Sequence, residues 1–325
     1  MKNILFTLAF GSLLALSACQ KNVDQFVPDG VQTAPDTEWK SVITASMPVI
    51  SLKNDLRYVK VLDSFSYNNS GVVYNSGSLS LGIPSNGLVN ASGMFPYGNL
   101  VRQSLLVQKK GDLITMNMPS VNNDGRLMIS GGAFFMGLRN NNEDLSVTNG
   151  NTLTVKYSHN ATLSGMKVFN ATEDVINGFS WAANPDIVNN KVTVTGNGYE
   201  VLTNRLQWVQ AAYLFDTTGI PETSFSVKLP VNYTNGNTLV YISFNNMQCV
   251  ADMKAHVNDK KFVSGDLPVN RPVTIIVLSK QANDYYLGYQ QTVTAVPSSG
   301  LGIQEIVITP VRSPLANIRS YLNSL

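Results

Sequence analysis

The chain is short of charge, of histidine and of cysteine. Only 14% of its 325 residues are charged, against about a quarter in ordinary soluble domains. The formal net charge is +2, too small to neutralise a phosphate backbone, and this argues against a nucleic-acid partner. The two histidines, His159 and His256, lie far apart, with no His at i+4 and no His-x-Glu pattern. A zinc site needs three or four ligands, so a His-rich one cannot be built. The same scarcity leaves a serine triad short of a base. No Gly-x-Ser-x-Gly elbow is present, since Gly178-Phe179-Ser180-Trp181-Ala182 ends in Ala. No tandem repeat is visible, and neither a metal nor a cofactor is expected.

What the chain has is amide, glycine and apolar surface. It contains 35 asparagines and 24 glycines, with 44% hydrophobic and 9% aromatic residues. A disordered polyelectrolyte lacks that apolar content, so a packed core is expected. The length suggests two domains, each large enough for a core of its own.

The first residues carry an address. Lys2 is followed by an apolar stretch from Ile4 to Leu16, and then by Leu16-Ser17-Ala18-Cys19. The stretch is too short for a spanning helix and reads as a secretory signal. Cleavage at small residues explains Ser17 and Ala18 but not the cysteine after them. The tetrapeptide resembles the bacterial lipobox, which implies acylation of Cys19 and removal of residues 1–18. Several acyl chains on Cys19 would hold the protein stably on a membrane. Gln20 stands where an aspartate would resemble an inner-membrane retention signal, so delivery to the outer membrane is expected. The periplasmic and cell-surface faces both remain open, and Lys21-Asn22-Val23-Asp24 only loosely resembles a surface-export signal. With Cys19 lipidated, Cys249 has no intrachain partner, and its apolar surroundings suggest a buried, inert thiol.

Residues 19–40 read as a lipidated tether, with Pro28, Gly30 and Pro35 and little apolar periodicity. From Ser41 onward short runs rich in Val, Ile, Tyr and Thr alternate with turn signals. Examples are Leu56–Leu62, Gly71–Leu81, Leu100–Gln108, Leu153–Tyr157, Lys191–Thr195, Thr238–Phe244 and Val273–Ser279. Asn123-Asp124-Gly125, Asn149-Gly150, Asn197-Gly198 and Asn235-Gly236-Asn237 supply turn chemistry between such runs. The expected fold is all-β, with two Ig-like or ZU5-like β-sandwiches. The first is expected at 41–160 and the second at 196–312, joined by a connecting segment at 161–195. A short helix at 313–325 closes the chain, with Ser313 as cap, Pro314 in the first turn, and Leu315, Ile318, Leu322 and Leu325 on one face. It is expected to pack on the last β domain.

The stretch from Lys109 to Ser120 (KKGDLITMNMPS) and Leu127–Phe135 (LMISGGAFF) resemble a family of Bacteroidota secreted and outer-membrane lipoproteins of unknown function. Leu206–Gln210, Phe225–Pro230, Tyr285–Gln290 and the Leu-rich C-terminus continue the likeness over most of the mature chain. Where the family pattern continues after Trp208 with an Asn-Cys-Asp-like run, this chain has Gln210-Ala211-Ala212. The Gly131-Gly132-Ala133-Phe134 turn weakly resembles the strand turn of ZU5-type sandwich modules. Both likenesses imply architecture and no chemistry.

Candidate chemistry is sparse. Glu143-Asp144 and Glu173-Asp174 are adjacent pairs, whereas glycosidases need two carboxylates converging across a cleft. Asp112 with Asp124, or Glu200 with Asp216, would have to meet in space. Asn140–Asp144 and Asn122–Asp124 offer oxygens for Ca²⁺ but lack the spacing of a calcium loop, and read first as turns. Aromatic faces with amide neighbours suit sugars, and the candidates are Trp181, Trp208, Tyr213, Tyr285, Tyr286 and Tyr289, with Trp39 beside them. The reading is a non-catalytic structural, scaffold or ligand-binding module anchored at the outer membrane, with the membrane and envelope proteins or glycans as partners. The alternative is a glycan-binding lipoprotein of a polysaccharide-uptake system, and an envelope hydrolase is third.

Overall fold

A computed structural model of the chain describes residues 36–174, 176, 178–296 and 303–325. The expected signal peptide, Cys19 and the expected tether as far as residue 35 lie outside the described residues, whereas residues 36–40, expected in that tether, belong to the folded body. The fold is all-β, built from antiparallel sheets with a short C-terminal helix, as the sequence suggests. Asp36–Leu325 form one compact unit.

Four sheets make two sandwiches. The first sheet has seven strands, ordered Val61–Tyr67, Gly98–Val107, Met128–Asn140, Gln207–Leu214, Lys167–Asp174 and Gly178–Ala183, with Glu143–Asp144 folded back on the long third strand. The second sheet runs Lys191–Thr195, Gly198–Thr203, Leu153–Ser158, Leu79–Ile83 and Val72–Ser76. Their facing side chains, among them Phe65, Leu81, Phe134, Val155, Tyr199 and Val209, form the first core. The third sheet centres on Glu222–Lys228 and the fourth on Thr238–Phe244 and Pro272–Gln281. Phe225, Val227, Ile242, Phe244, Cys249 and Ile275 fill the core between them. Strand Ile303–Val307 joins the third sheet as a parallel partner of Glu222–Lys228.

The strand pairing places the change of sandwich later than residues 161–195. Within that segment Lys167–Asp174 and Gly178–Ala183 are full members of the first sheet, and Lys191–Thr195 is an edge of the second. Gln207–Leu214, expected in the second sandwich, pairs with Met128–Asn140 in the first. Its partners lie far away in the sequence, which is why local turn signals misplace it. The sheets change between Leu214 and Glu222.

One strand serves both sandwiches. Met128–Asn140 is 13 residues long, about 40 Å at 3.3 Å per residue. Its start places Ile129, preceded by Leu127, in the second core, and its middle places Phe134, Met136 and Leu138 in the first. The bend between them is Gly131-Gly132. Gly132 has φ +111, and a β-carbon on Gly131 would stand 3.0 Å from the Tyr199 ring. Gly132 requires glycine for its left-handed backbone, and a side chain at Gly131 would press on the Tyr199 ring.

A third core fills the seam between the sandwiches. Helices α1 (Pro48–Leu56), α2 (Lys110–Thr115) and α3 (Leu315–Asn323) lie there. They bury Leu52, Leu56, Leu113, Ile114, Ile318 and Leu322. From the outer face of the first sheet come Phe169, Trp181 and Trp208, and from the fourth sheet Tyr241, Ile276 and Leu278. The C-terminal helix therefore contacts the seam as a whole, not the last β domain alone. Its cap residue is Pro314, with no side-chain cap, while the Ser313 amide donates to the Tyr285 carbonyl. The strand expected at Leu56–Leu62 begins only at Val61, after helix α1 ends at Leu56. Asn235-Gly236-Asn237 is a turn between strands, as its composition suggests, and it is also a docking point. The Asn235 side chain pins the backbone of Lys40, and the Gly236 carbonyl accepts from the Val49 amide at the start of α1.

Candidate binding site

Most of the aromatic residues singled out as sugar platforms are structural. Trp181 is fully buried and Trp208 is 2% exposed. Trp208 sits edge-on to Phe179 at 5.3 Å and to Phe135 at 5.4 Å, and Phe179 stacks on Trp181. Tyr213 is half-buried where the first and second cores meet. Tyr285 donates its hydroxyl to Asp55, and Tyr286 packs edge-on to Tyr233. Trp39 is half-buried against Phe262. Tyr289 is 57% exposed, but its ring stacks on Tyr321 of α3 at 4.8 Å. These side chains do not assemble into a shared exposed platform.

The other candidates also carry fold. Asp112 caps α2, accepting from the amides of Gln108 and Lys109, and it accepts from the Tyr58 hydroxyl. Asp124 accepts from Asn122 within a tight turn. Glu200 pairs with Lys156, and Asp216 holds the Thr218 amide. Ser180 lies in the middle of a strand rather than at a strand-to-helix turn. His159 accepts from the Ala161 amide, with its pKa lowered by burial, and exposed His256 stands 3.0 Å from Asp259. Burial pushes the Cys249 thiol up to about 12. Asn141 and Asn142, offered as calcium ligands, form the two-residue turn of a hairpin with φ +49 and +67. Both being left-handed is the requirement of a type I′ turn. No cluster of three or more His, Cys, Asp or Glu side chains fit for a metal ion occurs among the described residues.

A different surface has the geometry of a site. Strand Gln207–Leu214 begins opposite Met136, so the last four residues of Met128–Asn140 gain no partner from it. The Arg139–Asp144 hairpin folds back into only part of that space. A groove of about 770 Å³ remains, walled by Gln103, Arg139 and Asp144 on one side and Glu173, Arg205 and Gln207 on the other. That volume suits a small-molecule or oligomer site. The seam and the groove meet at Phe135 and Trp208, which pack in the helical core and also line the groove. Lys60 marks the limit, its ammonium 3.5 Å from the centre of the Phe135 ring.

The far wall is the loop Asn204–Gln207. Gln207 has φ +114, a backbone conformation that a residue with a β-carbon rarely adopts. Strain of this kind costs about 1–3 kcal/mol and persists where the surroundings impose it. Behind the same loop lies a smaller hollow of about 240 Å³, so residues 205–208 form a ridge between two depressions. Buried in the walls are two orphaned amide atoms, Oδ1 of Asn204 and Nδ2 of Asn170. The Arg205 guanidinium has no hydrogen bond or ion pair among the described residues, and Arg205 is exposed. At the hairpin end, the Asn90 amide holds Glu143, and beside it the loop Met94–Tyr97 exposes Met94, Phe95 and Tyr97 at 62%, 49% and 74%. No motif in the sequence marks the groove, its ridge or this loop as a site.

Both carboxylates that line the groove are paired with arginines. Asp144 is paired with Arg139 at 2.6 Å. Glu173 binds Arg57 and accepts from the Trp208 indole at 2.9 Å. Burial alone would push the Glu173 carboxyl up, but the hydrogen bonds from Arg57 and Trp208 outweigh it and hold its pKa below the ordinary value. A depressed folded-state pKa contributes stability above the unfolded value, about 4.3, and that stability is lost as pH falls through the folded value. The melting temperature should therefore fall as pH drops below about 5. Glu173→Gln should flatten this fall while melting lower near neutrality. Equal slopes for the two proteins would show that Glu173 contributes nothing to the seam.

No protein-family model matches the chain, and no curated protein matches it.

Proposed function

We propose that the protein is a non-catalytic binding module held at the outer membrane by lipid on Cys19, with the body of Asp36–Leu325 offering the groove beside Arg205 to a ligand. The observation that carries this reading is the groove's chemistry. It has size, polar walls and a strained ridge, but neither histidine nor cysteine, and both carboxylates that line it are paired with arginines. Of its carboxylates, Glu173 is held ionised by Arg57 and Trp208, and Asp144 is tied to Arg139. A hydrolytic acid needs the opposite, a carboxyl with a raised pKa. Neither histidine lines the groove, and the Cys249 thiol is buried in the second core. The residues between Cys19 and the start of the body would set it off from the membrane surface.

The anchoring is tested by fractionation. The protein should sediment with outer membranes, and Cys19→Ala should move it to the soluble fraction. Retention of the Cys19→Ala protein in the membrane would contradict the anchor. The non-catalytic reading is tested on the processed chain, from which bound ligand should be recovered chemically unchanged by mass spectrometry.

A further inference from the structure

We propose that the groove binds a small organic acid, with Lys60 receiving its acid group and Arg205 supplying a second positive charge on the far wall. This rests on the binding-module reading above and adds the ligand class and the residue that selects it. The first observation is an unmet donor. Burial lowers the pKa of Lys53, Lys60 and Lys110. Lys53 donates to the Ile176 carbonyl and Lys110 to the Phe244 carbonyl, each at 2.7 Å. Lys60 has no hydrogen bond or ion pair among the described residues, and its ammonium rests on the Phe135 and Trp208 rings at 3.5 and 5.9 Å. It is half-buried, so it has given up water without gaining an acceptor from the protein. The Glu173 carboxylate attracts it but makes no ion pair with it, being bound by Arg57 and Trp208. The second observation is the charge around the groove. Arg57, Lys60, Arg139 and Arg205 stand there against Asp144 and Glu173. Glu173 takes up Arg57 and Asp144 takes up Arg139, which leaves Lys60 and Arg205 uncompensated. Unpaired cations beside a concave surface raise the local concentration of anions. The exposed Arg205 fork matches a carboxylate in shape as well as in charge.

A volume of about 770 Å³ holds an organic molecule and far exceeds a bare inorganic anion. An acidic peptide fits less well. Peptides add to open strand edges through their backbone. Here the edge facing the groove is already engaged, since the Leu138 carbonyl accepts from the Leu145 amide and Gln207 pairs with Met136. Gln103, Thr172 and Gln207 would meet hydroxyls and the Phe135 ring an apolar body, so the acid group is the chemistry that a sugar acid and an aromatic acid share here.

The test is titration calorimetry on the chain from Gln20 onward. The acids are galacturonate, glucuronate, phenylacetate and benzoate, with galactose, glucose, phenylacetamide and benzamide as their neutral counterparts and sodium sulfate as the bare anion. At least one acid should bind, and its neutral counterpart should bind about tenfold more weakly or not at all. Whether the sugar acids or the aromatic acids bind better identifies the source of the acid group. Lys60→Met and Arg205→Gln should each lower the affinity for that acid about tenfold, as the loss of a hydrogen bond to a charged group does. Lys60→Arg should restore most of it. Lys60→Met should also melt within about 2 °C of the parent or above it, because the ammonium gives up no hydrogen bond. A purely structural Lys60 predicts the opposite, a lower melting temperature with affinity intact. Silence of every acid, equal binding of acids and neutral counterparts, sulfate binding as tightly as the acids, or unchanged affinity in either variant overturns the proposal. Binding of a neutral counterpart alone would leave the module reading standing, whereas chemical change of a bound acid would overturn the non-catalytic reading and keep the ligand class.

Discussion

Gly111→Val is expected to lower the melting temperature by about 10 °C and to release the C-terminal helix. Gly111 lies in α2 where that helix crosses α3, and a β-carbon there would overlap the backbone carbonyl of Leu322. A backbone carbonyl cannot rotate away as a side chain can. Relief requires α3 to move, and with it Ile318 and Leu322, both fully buried. Exposing two such side chains costs about 1.5–3 kcal/mol each, and the clash itself costs about 1–3 kcal/mol. For a chain of this size each kcal/mol is worth roughly 1.5–2 °C in melting temperature. Limited proteolysis supplies the structural readout, since residues near 315–325 should become cleavable in the variant and remain protected in the parent. A variant that melts within about 2 °C of the parent would mean that the helices are an appendage to the sandwiches.

The second large effect is expected from Trp181→Ala and Trp208→Ala, each costing about 3–5 kcal/mol. Both indoles are packed into the seam, at 0% and 2% exposure. Removing either leaves a cavity walled by residues from the helices and the first sheet, which the strand pairing on both sides keeps from collapsing. Trp208→Ala also deprives Glu173 of its indole partner, leaving that carboxylate with Arg57. Urea unfolding would show a lower midpoint at an unchanged slope. Were these rings an exposed ligand platform, the loss would be within about 0.5 kcal/mol, as for ordinary surface substitutions. Tyr289→Ala supplies that comparison in the same protein.

The architecture was legible in the sequence where the signal is local. Lys191–Thr195 and Thr238–Phe244 are strands with the bounds that their composition suggests. The high asparagine content also reads correctly as a fold signal. Among the described residues, six of the nine non-glycine positions with positive φ are asparagine, including Asn69, Asn86 and the Asn141-Asn142 turn. Legibility ends where partners are distant. Gln207–Leu214 looks like the opening of a second domain, yet its hydrogen bonds run to residues 128–136, some eighty positions earlier. Helix α1 did leave a trace, with Pro48 at the first turn and Val49, Leu52 and Leu56 on one face. The β-rich rhythm around it hides that trace.

The site was not legible, and for a physical reason. An aromatic residue on a strand faces one side of its sheet, and period-2 alternation cannot tell whether that side meets water or another layer. Trp181 and Trp208 face the seam because three helices distant in sequence cover them. The groove exists because the Asn141-Asn142 turn folds back short of the Asn204–Gln207 loop, a mismatch of strand lengths that composition does not record. Residues 109–118 build α2 and its seam contacts, and Leu206–Gln210 carries the ridge.

The helical seam joins the two sandwiches into one cooperative body and leaves the first sheet open at the groove. Scanning calorimetry of the chain from Gln20 onward is the measurement that decides this. A single transition is predicted, with calorimetric and van't Hoff enthalpies equal within error. Two resolved transitions, or a calorimetric enthalpy about twice the van't Hoff value, would mean that the sandwiches unfold independently and would contradict the account.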